Sequence, residues 1–244
     1  MIVLFTDFGP SGPYLGQMRA VLHREAPGVP VVTLLADAPA HDPRASAYLL
    51  PAYVRDFPRG AVFLCVVDPG VGSGLHRPMA IEIDGRWFVG PGNGLFEIVA
   101  RRGRSAHAWA ITWRPRELSA TFHGRDLYAP EAARLARGEG PRGMPVTLEP
   151  DPSWPDDLYP DDLYQVIYLD HYGNCITGVR ATAFTGSQLL LRGQRLPRAR
   201  TFAEVPSGKP FFYENSNGLI EIAVREGRAG EILGIGIGEP IAAA

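Results

Sequence analysis

Two aspartates stand where chemistry is expected. Asp7 and Asp68 each close an apolar run, residues 2–6 and 61–67, so each lies at the C-terminal mouth of a predicted buried strand, where open α/β sheets bind ligands. The loop after Asp7, GPSGPYLG, looks at first like a phosphate cradle. Its glycines at 9, 12 and 16 fit neither G-x-G-x-x-G nor the P-loop, and no lysine follows. A carboxylate would also repel phosphate, whereas its two acceptor oxygens suit the paired hydroxyls of a ribose; bracing the loop or capping a helix is the plainer role. Asp68 opens DPGVGSGLHRP, where Pro69 fixes the turn and Gly70, Gly72 and Gly74 allow backbone amides close to a ligand. His76 and Arg77 follow in the same loop. An aspartate beside an arginine is ordinarily an ion pair, but TFHGRDLYAP adds His123 and Arg125 just before a predicted helix. Aspartate, arginine and histidine together make a set able to orient and deprotonate water.

The other histidines, His23, His41, His107 and His171, are scattered, and neither H-E-x-x-H nor C-x-x-C spacing occurs. No metal is expected. Cys65 and Cys175 sit in separate apolar segments and read as buried small hydrophobes. Near the C-terminus DHYGN places Asp170 and Asn174 around one turn, and ENSNG places Ser216 and Asn217 in another; hairpin chemistry alone accounts for both.

The elements that must position these residues fall into two patterns. Up to residue 140, strand-like and helix-like segments alternate: strands at 2–6, 30–35 and 61–67, a helix through Leu15, Met18, Val21 and Leu22, and another at 44–54. That alternation predicts an α/β domain, a mostly parallel sheet flanked by helices. Asp84-Gly85 between residues 79–83 and 86–89 is a hairpin signal, which makes the sheet mixed. A helix at 131–137 follows, with Pro130 before it and Gly138 after it. Residues 141–162 are crowded with proline and acidic side chains and read as a linker without regular structure. From 163 to 244 short segments at 163–169, 175–179, 188–191, 211–213, 219–224 and 232–237 predict an all-β domain, a small antiparallel sheet or barrel.

A chain of 244 residues with 45% hydrophobic residues can bury one large core or two modest ones. With 24 basic against 26 acidic residues and no basic block, neither nucleic acid nor an anionic membrane is an expected partner; a small molecule is. Nothing in MIVLFTDFG has the charge and apolar length of a signal or spanning segment, which predicts a soluble cytoplasmic protein.

Taken together, TDFG (6–9), VVDPGVGS (66–73), FHGRD (122–126), LDHYGN (169–174) and ENSNG (214–218) resemble the S-adenosylmethionine (SAM) hydroxide adenosyltransferase family, adenosine-forming hydrolases related to fluorinase and chlorinase. The resemblance runs through both domains in order. It implies hydrolysis of SAM to adenosine and methionine without metal or cofactor, in a homotrimer with sites between subunits. It puts Asp7 on the ribose diol, Asp68 and His123 at catalytic positions, Asp170 and Ser216 at the methionine end, and Asn174 at adenine. Two departures stand out. The family's catalytic arginine comes seven residues after the aspartate, which here is Leu75, so Arg77 takes the role with Arg125 in reserve; and Pro-Asp-Asn-Gly has become Pro91-Gly92-Asn93-Gly94. The halogenases resemble this loop but carry a different residue at Asp68, which favours the hydrolase branch. Two other readings are a SAM-dependent halogenase, which needs a small apolar and hydroxyl-lined halide pocket, and a sensor that binds SAM or adenosine without turnover.

Overall fold

A computed structural model of the chain describes residues 1–148 and 157–244. It divides into two compact units, Met1–Pro155 and Asp156–Ala244.

The first unit is built on a seven-stranded sheet. In chain order its strands are β1 (Ile2–Thr6), β2 (Val31–Leu35), β3 (Val62–Val66), β4 (Pro78–Ile83), β5 (Arg86–Pro91), β6 (Ala106–Ile111) and β7 (Gly143–Val146), arranged β2-β1-β3-β5-β4-β6-β7. β1 pairs in parallel with β2 and β3, and β3 with β5, whereas β4, β6 and β7 are joined antiparallel. Every residue of β1 and β3 is buried, as expected of parallel strands covered on both faces. Helix α1 (Tyr14–Glu25) packs Met18, Val21 and Leu22 into a core with Ile2, Leu4 and Leu64. α2 (Pro43–Val54) starts at Asp42, whose side chain accepts the Ala45 N–H at 2.8 Å, with Pro43 in the first turn where its missing N–H costs nothing. The hairpin turn at Asp84-Gly85 has φ of 49° and 78°, as a type I′ turn requires.

Three elements of this unit were not legible: α3 (Glu97–Arg102), β6, and a π-helical turn at Gly124–Tyr128 that runs into α4 (Ala129–Ala136). The reading of 141–162 as irregular is corrected at β7, where Met144 pairs with Ala110 at the sheet edge; an edge strand tolerates Pro145. Residues 149–156 of that stretch lie outside the described residues.

The second unit holds two antiparallel sheets. One is β12-β13-β9-β8, from β8 (Leu163–Leu169), β9 (Cys175–Arg180), β12 (Pro210–Glu214) and β13 (Leu219–Val224); the other is β11-β10-β14, from β10 (Gln188–Leu191), β11 (Gln194–Pro197) and β14 (Ala242–Ala243). Val166, Cys175, Phe212, Ile220 and Ile222 form its core. The strand expected at 232–237 is a misreading. The chain forms a short helix, α5 (Ala229–Leu233), stopped by Gly234 in the left-handed region, and the Ile235 N–H closes back on the Gly230 carbonyl at 2.9 Å. Glycines at 230, 234, 236 and 238 leave too few side chains for a strand to bury, and Ile232 stays exposed.

Candidate active site

In the first unit the ends of β1 and β3 deliver Asp7 and Asp68, and the π-helical turn is preceded by His123. Three devices hold these groups together. Asp7 accepts the His41 N–H through Oδ2 at 3.0 Å, tying the loop after β1 to the entry of α2. Phe8, Tyr14 and Phe122 form an aromatic cluster with centroids 5.4–6.0 Å apart, Phe122 meeting each of the other two edge-to-face, which joins that loop to the segment carrying His123. Gly72 brings the Asp68 loop against the same segment: a Cβ there would stand 2.3 Å from the Ala120 carbonyl oxygen, and its φ of +77° is itself a glycine conformation.

Asp68 is half-buried. Burial pushes its carboxyl above the ordinary carboxylate range; the positive character of His123 and then His76, and a hydrogen bond from the Gly70 N–H, pull it back, while Asp7 adds to the rise. Asp7 and His123 are therefore both near enough to act on Asp68. His76, which the sequence placed in the loop without a role, joins them; its ring lies against Gly70, so that a Cβ there would meet its Cδ2 at 3.4 Å. The buried Tyr128 hydroxyl is also raised, by burial first and then by Asp68.

The arginines behave differently. Arg77 is exposed, its carbonyl accepts the Gly92 N–H at 2.8 Å, and among the described residues its guanidinium makes no hydrogen bond or ion pair. Arg125 is committed: Nε and Nη2 donate to Asp126 at 2.6 and 3.0 Å, holding that carboxyl below the ordinary range, and its guanidinium lies 5.1 Å from the Phe122 ring centre. Gly92 is a close-approach position. A Cβ would meet the Arg77 carbonyl at 2.9 Å and the Met79 Cγ at 2.8 Å, so an aspartate does not fit there without movement. The neighbouring Asn93 is buried and donates to the Val67 carbonyl at 2.9 Å, bracing the end of β3 from which Asp68 emerges.

In the second unit Asp170 and Asn174 close the β8–β9 turn. Asp170 accepts the Asn174 N–H at 2.8 Å and its side-chain Nδ2 at 3.0 Å. Ser216 is exposed in the β12–β13 turn, which Asn215 folds by accepting the N–H groups of Asn217 and Leu219, each at 3.0 Å. One residue that sequence reasoning missed sits beside these turns. Buried Glu221 accepts from Asn215 Nδ2 at 2.9 Å and from the Tyr213 hydroxyl. The only sequence signal for it was an acidic residue inside the apolar run 219–224.

Among the described residues no three His, Cys, Asp or Glu side chains converge as metal ligands, and no helix is long and apolar enough to cross a membrane.

Residues 2–144 match the SAM hydroxide adenosyltransferase N-terminal domain and residues 164–242 the corresponding C-terminal domain. The chain is 39% identical to a protein of Thermus thermophilus named (R)-S-adenosyl-L-methionine hydrolase, covering 98% of each. It is 35% identical to a protein of that name from Salinispora tropica, over 96% of this chain and 94% of the relative. Among solved structures it superposes on an uncharacterized conserved protein of Thermotoga maritima with a TM-score of 0.86 at 27% identity, covering 99% and 98% of the two chains. A conserved hypothetical protein of Thermus thermophilus gives a TM-score of 0.77 at 37% identity, covering 100% and 99%.

Proposed function

The chain belongs to the SAM hydroxide adenosyltransferase family, and from that premise we propose that it hydrolyses S-adenosyl-L-methionine to adenosine and L-methionine, acting on the (R)-sulfonium form for which its relatives are named. The observation that carries this reading is the half-buried Asp68 carboxylate, raised in pKa and flanked by two histidines at the end of a central strand. A carboxylate so placed is a better base toward water than an exposed one, because its proton affinity is moved toward neutrality.

The substrate supplies the leaving group. Water attacks the sugar 5′-carbon as the C5′–S bond breaks; the bonding pair passes to sulfur, methionine leaves neutral, and the water proton goes to Asp68 and then to solvent. Asp68 and His123 hold the water in line, and Arg77, free to reach the site, stabilises the hydroxide-like charge. Holding one water in line behind the carbon supplies on the order of 7 kcal/mol in a favourable site, and a positioned base roughly two to four decades in rate. The reading calls for no metal and no redox cofactor. Asp7 receives the ribose diol, Asp170 and Ser216 the methionine end, and Asn174 the adenine.

The assembly that suits this division is a homotrimer in which the first unit of one subunit meets the second unit of the next, and the expected location is the cytoplasm. Support comes from the separation of the two sets of ligand residues into different compact units. Incubation with SAM in water labelled with oxygen-18, with and without halide, tests the chemistry. Labelled adenosine is expected; halogenated nucleoside would make the chain a halogenase, and unchanged SAM would make it a binding protein.

A further inference from the structure

The chain from 114 to 122, which leads into His123, forms no helix or strand. Its place must come from side chains. Asp126, on the π-helical turn beyond His123, reaches back and accepts the Ser119 N–H through Oδ2 at 2.9 Å. That carboxylate is itself gripped by Arg125, whose Nε and Nη2 donate to it at 2.6 and 3.0 Å while the guanidinium lies over the Phe122 ring. The Phe122 carbonyl accepts the Arg125 and Asp126 N–H groups, each at 3.2 Å. Residues 119–126 are thereby closed into a ring by a charge-assisted hydrogen bond, stronger than one between neutral groups.

Two members of the ring bear on the candidate site. Ala120, next to the pinned Ser119, is the residue whose carbonyl oxygen a Gly72 Cβ would strike, so the ring supplies the surface on which the Asp68 loop rests. His123 is the other. Among the described residues its imidazole makes no hydrogen bond, so its place is set by the backbone that carries it. One closure therefore governs both where the Asp68 loop lies and where His123 starts.

We propose that Asp126 is a positioning residue for Asp68 and His123, with Arg125 as its clamp: it acts on neither water nor substrate, but holds Ala120 and His123 in fixed relation across the Ser119 N–H. The inference rests on the hydrolase reading, which makes Asp68 and His123 the pair that directs water. It gives Arg125 a supporting duty and leaves the developing charge to Arg77.

Turnover and melting of the intact protein test it together. Asp126→Ala opens the ring; kcat with SAM is expected to fall about a hundredfold, the cost of misplacing reacting groups by about an ångström, while adenosine affinity by calorimetry stays within about tenfold. Asp126→Asn can present its amide oxygen to the Ser119 N–H, and this neutral replacement is expected to keep kcat within about tenfold of the wild type. Arg125→Ala removes the clamp but keeps the carboxylate, and is expected to cost less than Asp126→Ala. Melting supplies a readout that a merely structural role would not move. Freeing Ser119 lets the Ala120 carbonyl give way, so the melting-point loss caused by Gly72→Ala is expected to shrink by about half when residue 126 is already alanine, as for sites that share a contact. Additive melting losses, or an Asp126→Ala protein with wild-type kcat, overturn the inference. Should Asp126→Ala not fold, a hundredfold loss in Asp126→Asn, or an Arg125→Ala protein as inactive as Asp68→Ala, overturns it as well. A wild type that leaves SAM unchanged strikes instead at the hydrolase reading, and the inference falls with it.

Discussion

The carboxylates of the two units are held in opposite ways. In the second unit, Asp170 and Glu221 each accept two hydrogen bonds from neighbouring donors. In the first, Asp68 takes a hydrogen bond from the Gly70 N–H and otherwise faces the imidazoles of His76 and His123 across space. A carboxylate gripped by two donors is a fixed surface for recognition. One with open lone pairs is available to water, and its partial burial keeps it basic. On the proposed reading, the contrast teaches that a binding half and a reacting half can use the same residue type and differ in how many donors reach it.

The sharpest way to break this comparison is to remove the open carboxylate. Asp68→Ala is expected to abolish turnover while leaving adenosine affinity within about tenfold, because the nucleoside is gripped elsewhere; wild-type turnover in this variant ends the proposal that Asp68 directs the water. Next in size is complementation between the halves. When Asp68→Ala and an Asp170→Ala/Ser216→Ala double variant are unfolded together and refolded as mixed rings, about a quarter of the interfaces should carry two intact halves if neighbouring subunits share each site. Mixed rings, established by native mass spectrometry, that stay inactive would rule sharing out.

Backbone support can be tested separately from chemistry. Gly72→Ala forces a side chain into a left-handed conformation and against the Ala120 carbonyl, so a loss of at least about 1 kcal/mol is expected, read as a melting point lower by roughly 2–4 °C. An unchanged melting point would mean that the Asp68 loop is not pinned to the segment before His123. The smallest effect is on pH dependence. Asp68 must be ionised to accept a proton, and its pKa lies above the ordinary value, so kcat/KM should fall as pH drops through that raised pKa. His76 lowers it, so His76→Ala should move the acid limb to higher pH. An acid limb that stays in place would mean that His76 does not act on Asp68.

The sequence alone was most informative where structure is local. Apolar runs ending in aspartate marked β1 and β3, Asp84-Gly85 marked the hairpin, and Asp42-Pro43 begins α2 with a cap and a proline that both belong there. It failed where pairing partners decide. Ala106–Ile111 becomes a strand because β4 offers its edge, and Gly143–Val146 because β6 then offers another; neither segment alternates clearly enough to announce itself. The run 232–237 shows the reverse error, since alternating isoleucine and glycine imitates a strand while Gly234 ends a helix. In the site, residue types were legible and distances were not. His76 and Arg77 are adjacent in sequence, yet the histidine acts on Asp68 while the arginine lies exposed. Glu221 was hidden because a charge within a strand ordinarily points to solvent.

The close approach of Gly72 to Ala120 also divides the Asp68 loop into a pinned half and an exposed one. Upstream of the contact, from Asp68 to Gly72, a single insertion would pull the Asp68 carboxylate off its strand end. Downstream, Ser73, Gly74 and Leu75 are exposed, and Leu75 is 76% accessible. A change of length in that second stretch would move Arg77 and His76 together, and with His76 one of the groups that acts on Asp68.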